Sequence, residues 1–211
     1  MQGLDVTLVA ILDRGVEGIL PLEEFTQSII SGGATSIQVR LKRETTRDIM
    51  DFTRRVLEIC AGTGVSVIVN DRLDVALAAG AHGVHLGEED MPVETARGLA
   101  RPGMTIGASV RDVAGAKAAA AAGADYLGVG AMFATPIKPE QKPISLDILQ
   151  EIRHEVNLPI VAIGGIDETN AALLMEHGAD GIAVISALRK CLDPKEGASR
   201  LRAAVDKFKK R

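Results

Sequence analysis

Three polar side chains at two-residue spacing, Gln38, Arg40 and Lys42, are the first residues of this chain whose types and order invite chemistry. In an extended segment alternate side chains share a face, so an amide and two cations point one way while Val39 and Leu41 point the other. A solvated edge strand would show the same alternation; in a barrel strand that face points into the core or at a site. Two acids follow at the ends of later β-branched runs, Asp71 after Asn70 and Asp90 after Gly87-Glu88-Glu89. Either acid alone could cap the helix after it. Both together, beside an Arg and a Lys, point to a hard-cation site, because Mg2+ is usually held by one or two carboxylates plus substrate phosphates. Ser109 closes a fifth run, and a stretch at 130–143 with three prolines and two lysines, Lys138 among them, reads as a functional lid rather than regular structure. Gly164-Gly165 and Ile185-Ser186 end two further runs. Paired glycines let backbone approach a ligand closely, and amides at a helix start attract phosphate.

The elements that must position these residues alternate along the whole chain. Short runs rich in β-branched residues fall at 6–11, 36–41, 65–69, 83–86, 105–107, 126–129, 160–163 and 181–185. Between them, apolar residues recur at three- and four-residue spacing over 22–30, 46–60, 93–99, 113–122, 146–156, 169–177 and 198–208. Strand-then-helix alternation implies a parallel sheet covered by helices. Eight such units, with no glycine-rich dinucleotide fingerprint after the first, predict a closed (β/α)8 TIM barrel in one catalytic domain, 1–211, whose site lies at the C-terminal ends of the strands. Glycines at Gly33, Gly80, Gly123 and Gly178 should supply left-handed helix ends.

Composition narrows the partners. A formal net charge of −4 argues against nucleic acid, which needs a basic face. The basic C-terminal run at 207–211 reads as a solvated last helical turn. No run of apolar residues is long enough to span a membrane. Cys60 and Cys191 are too few for a disulfide framework and fit reduced thiols in a cytoplasmic protein. With aromatic residues at only 2%, the core must be built from Val, Ile, Leu and Ala. The oligomeric state is left open, a homo-oligomer included.

Six segments taken together, Gln38-x-Arg40-x-Lys42, Val69-Asn70-Asp71-Arg72, Gly83-Val84-His85-Leu86-Gly87-x-x-Asp90-x-Pro92, Ile106-Gly107-x-Ser109, Thr135-Pro136-x-Lys138 and Pro159 to Ile166, resemble the thiamine-phosphate synthase family nearly end to end. The resemblance implies a transferase of thiamine biosynthesis. It would join a pyrimidine pyrophosphate to a carboxythiazole or hydroxyethylthiazole phosphate through a pyrimidinyl-methyl cation, releasing pyrophosphate. By the same resemblance Gln38, Val39, Arg40, Leu41, Lys42, Asn70, Ser109 and Lys138 would bind the pyrimidine pyrophosphate, with Arg40, Lys42, Ser109 and Lys138 acting in the chemistry. Asp71 and Asp90 would hold Mg2+, and Thr135, Pro136, Ile137, Gly165, Ile185 and Ser186 would bind the thiazole phosphate.

Two positions depart from the family pattern. Ile137 stands where a second Thr is usual, and Arg111 where His is common. A thiazole tautomerase on the same barrel uses a histidine after the fifth strand for proton transfer, which Arg111 cannot do because a guanidinium stays protonated. A non-catalytic phosphate-ligand sensor is a second alternative, and Ile137 is the feature pointing to it. Another phosphate-handling barrel would equally carry Gly164-Gly165 but would not explain Gln38, Arg40 and Lys42 with Asp71 and Asp90.

Overall fold

The computed structural model describes residues 4–137 and 139–208. Eight strands follow one another along the chain: β1 (Leu8–Leu12), β2 (Ser36–Val39), β3 (Ser66–Asn70), β4 (Gly83–Leu86), β5 (Thr105–Val110), β6 (Tyr126–Gly130), β7 (Ile160–Ile163) and β8 (Gly181–Val184). Each pairs in parallel with the next and β8 pairs with β1, which closes the barrel expected from the alternation. The helices are α1 (Leu22–Ser31), α2 (Thr46–Cys60), α3 (Leu73–Ala79), α4 (Val93–Leu99), α5 (Val113–Ala121), α6 (Leu146–Glu155), α7 (Ala171–Glu176), α8 (Ser186–Arg189) and α9 (Pro194–Asp206).

Local chemistry explains the boundaries. Thr45 and Asp48 form a reciprocal capping box that starts α2. Asp193 accepts from the Lys195 and Glu196 amides ahead of Pro194, so α9 begins four residues earlier than the apolar spacing suggests. It ends at Asp206, so the basic run does not continue it; residues 209–211 lie outside those described. Gly33, Gly80, Gly123 and Gly178 all have positive φ, as the left-handed ends require. Two Gly-Ala-Asp segments repeat one device at the N-terminal end of the barrel. Asp125 accepts from the Ile106 amide and pairs with Arg97, and Asp180 accepts from the Ile160 amide and pairs with Arg153.

The larger core lies between barrel and helices and is dominated by Val, Ile, Leu and Ala, with Phe25 and Phe52 its largest members. A smaller cluster fills the barrel's lower interior, where Val9, Ile11, Val161, Ala183 and Tyr126 meet. Above it the inward-facing residues turn polar, with Gln38 and His85 buried. That change from apolar plug to polar floor marks the base of the site.

Candidate active site

The strand ends open on one cavity of about 1250 Å³. This exceeds the roughly 300–1,000 Å³ of most single-ligand sites and leaves room for two small ligands. Gln38, Arg40 and Lys42 all line it, as alternation along the strand and its continuation predicts. Val39 and Leu41, which the resemblance put with the ligand, instead bury their side chains in the outer core. The pleat that aims Gln38 inward aims them outward.

Gln38 Nε2 donates to Asn70 Oδ1 at 2.6 Å, which joins the ends of β2 and β3 and fixes both amides. The next residue, Asp71, is the one non-glycine residue with positive φ among those described, at 65°. Its amide donates to the His85 carbonyl at 2.8 Å. This left-handed turn brings its carboxylate within 2.5 Å of Lys42 Nζ. Burial pushes the Asp71 carboxyl above the usual carboxylate range; Lys42 opposes that rise and the neighbouring Asp90 carboxylate adds to it.

Neither acid caps a helix with its side chain. Arg72 and Pro92 occupy the N-cap positions of α3 and α4, without side-chain caps. Asp90 instead accepts from the Gly87 amide at 2.7 Å, folding the loop after β4 toward Asp71. Two neighbouring carboxylates, in a cavity also lined by Arg40, are a donor set that would suit a divalent cation sharing its remaining ligands with phosphate oxygens and water.

The far side of the cavity comes from Thr135, Pro136 and Ile137 in the loop after β6, and from Gly165, Ile185 and Ser186 after β7 and β8. Lys138 lies outside the described residues. The two glycines show a different close approach from the one expected. A Cβ on Gly164 would lie 2.7 Å from Ala131 Cβ, and one on Gly165 would lie 2.6 Å from the Ala134 carbonyl oxygen. They let the loop, as well as any ligand, lie against β7. Arg111 holds the same loop at both ends, donating to the carbonyls of Gly130 at 2.9 Å and Lys142 at 2.6 Å. Its guanidinium therefore ties the two ends of this loop together.

The sequence matches the thiamine monophosphate synthase family over residues 8–188. The chain belongs to that family. Thiamine-phosphate synthase of Coprothermobacter proteolyticus is 47% identical over 198 residues, covering 94% of each chain. The enzyme of that name from Chloroflexus aurantiacus is 44% identical over 203 residues, 96% of this chain and 94% of its own. Among solved structures, a thiamine phosphate pyrophosphorylase from Pyrococcus furiosus superposes with a TM-score of 0.89 at 39% identity, covering 98% of both chains. Family membership thus agrees with the barrel. Sequence reading passed over two features of the site. His85 lies beneath Ser109, and Arg111 anchors the loop; the strand glycines Gly107 and Gly128 were the available signal for the first.

Proposed function

We propose that this cavity joins a pyrimidine pyrophosphate to a thiazole phosphate, giving thiamine phosphate and free pyrophosphate. The observation that carries the reading is the convergence of Gln38, Arg40, Lys42, Asp71, Asp90 and Ser109, from the β2 to β5 side of the barrel, on the cavity that Thr135, Gly165 and Ser186 line from the β6 to β8 side. The bond between the pyrimidine methylene carbon and a pyrophosphate oxygen breaks, and its electron pair leaves with the oxygen. Arg40, Lys42 and Ser109 stabilise the charge that builds there. Bound Mg2+, held by Asp71 and Asp90, would add Lewis-acid stabilisation of the leaving group. The thiazole nitrogen donates its lone pair to the methylene cation, forming the new C–N bond, so this nucleophile needs no general base. Holding both substrates under the loop removes much of the entropic barrier and keeps water from the cation.

Purified protein given both phosphorylated substrates and Mg2+ should form thiamine phosphate and pyrophosphate in equal amounts. No product above an enzyme-free control ends this assignment and leaves the sensor reading. No helix among the described residues is long and apolar enough to cross a membrane. We place the reaction in the cytoplasm, where the two free cysteines would stay reduced.

Ile137 gives a prediction of its own. It lines the cavity and its amide donates to Thr135 Oγ1 at 3.3 Å, but its side chain offers the thiazole phosphate nothing polar. Ile137→Thr is expected to lower KM for the thiazole phosphate about 3- to 10-fold, the effect of one added hydrogen bond of ordinary net strength. An unchanged or higher KM shows that backbone donors already saturate that phosphate.

A further inference from the structure

Beneath the wall that carries Ser109, three neighbouring strands hold a hydrogen-bonded chain. The register sets His85 of β4 opposite Gly107 of β5, Gly107 opposite Tyr126 of β6, and Ser109 opposite Gly128. His85 Nδ1 lies 2.9 Å from the Tyr126 hydroxyl, and His85 Nε2 lies 2.9 Å from Ser109 Oγ. The two glycines make room for the rings. A Cβ on Gly107 would sit 2.2 Å from Tyr126 Cζ, and one on Gly128 would sit 2.8 Å from His85 Cε1. Glycine inside a strand is destabilising, so its presence at both positions is explained by the two rings it admits. Tyr126 is 3% exposed and His85 7%, whereas Ser109 is half-buried and faces the cavity.

The direction of the protons along this chain follows from the buried end. Burial, helped by the nearby Asp125, pushes the Tyr126 hydroxyl far above its ordinary pKa, so it keeps its proton. A buried hydroxyl proton needs an acceptor, and among the described residues the hydrogen-bond partner of this one is His85 Nδ1. Nδ1 therefore presents a lone pair, the ring proton sits on Nε2, and Nε2 donates to Ser109 Oγ. Having accepted there, Ser109 turns its own proton away from the imidazole, toward the cavity.

We propose that Tyr126 and His85 are positioning residues that lock the Ser109 hydroxyl as a donor aimed at an anionic substrate oxygen. Resting on the function proposed above, the inference identifies that oxygen as one belonging to the departing pyrophosphate. Without the lock the hydroxyl would divide its time between donating to the imidazole and donating to substrate; with it, the donor is oriented before charge develops.

Long-range proton–nitrogen spectra of the free, 15N-labelled wild-type protein test the arrangement directly. The His85 ring signals are assigned by their loss in His85→Gln. The expected result is a neutral ring protonated at Nε2 and bare at Nδ1. A proton on Nδ1 overturns the proposal, and this reading needs neither substrate nor turnover, so it stands apart from any failure of the synthase assay. Kinetics supply the second arm. Tyr126→Phe is expected to lower kcat/KM about 10-fold, and Ser109→Ala about 100-fold; in the Ser109→Ala background the tyrosine change should have no further effect. Equal losses in both backgrounds would mean that Tyr126 supports the barrel rather than acting through Ser109, and would overturn the proposal.

Discussion

Asp71→Asn and Asp90→Asn are each expected to need about 10- to 100-fold more Mg2+ for half-maximal rate, because a neutral amide oxygen is a poorer ligand for a hard cation. The fold should survive both changes. Asp71 holds a left-handed backbone at φ 65°, a conformation that Asn adopts as readily as Asp. Burial and the neighbouring Asp90 disfavour its charge more than Lys42 favours it, so removing that charge does not by itself weaken the folded state. Asn at position 90 retains an oxygen able to accept from the Gly87 amide, as Asp90 does now. The thermal midpoint and the Mg2+ titration, measured on the same variants, therefore separate two roles. A ligand pair shifts the titration and leaves the midpoint near its starting value. Unchanged metal dependence in both variants removes the aspartates from the site and leaves pyrophosphate stabilisation to Arg40, Lys42 and Ser109.

The barrel and much of its site were legible because the relevant signals are local. Alternation placed Gln38, Arg40 and Lys42 on one face without any knowledge of the neighbouring strands, and the same alternation explains why Val39 and Leu41 lie in the outer core. The glycines after four helices report a local backbone requirement, met in every case. The chain from Tyr126 to Ser109 was not legible for the opposite reason. Its members belong to three strands, and their contact depends on cross-strand register, which no single segment encodes. Arg111 was legible as a departure from a family pattern. Its contacts with the Gly130 and Lys142 carbonyls depend on the path of an irregular loop with no periodicity to read. Helix capping was the bland expectation for Asp71 and Asp90; the chain turns through φ 65° at the first and folds back to Gly87 at the second, and neither geometry has a sequence signature strong enough to predict.

Gly165→Ala should raise KM for the thiazole phosphate about 10- to 100-fold, because a displacement of order 1 Å in a substrate-positioning element costs that much. Two terms act at this residue. Its φ of 66° lies in the left-handed region, where a Cβ costs about 1–2 kcal/mol. The added Cβ would also fall 2.6 Å from the Ala134 carbonyl oxygen and 2.7 Å from Phe133 Cβ. Neither is the free end of a flexible side chain, so the loop itself must move. That loop is laid on β7 by hydrogen bonds from the Met132 amide to Ile163 and from the Phe133 amide to Gly164, and it carries Thr135 and Ile137 into the cavity. Gly80→Ala isolates the backbone term. Gly80 has a φ of 78° and nothing within 4 Å of its added Cβ, and it does not line the cavity. Its thermal midpoint should fall by the left-handed penalty alone, roughly 2–4 °C per kcal/mol for a chain of this size, with kinetics unchanged. Gly165→Ala should fall further and lose thiazole-phosphate affinity as well. Equal midpoints for the two variants, with wild-type KM in both, would show that the loop absorbs the methyl group and that Gly165 does not set its position.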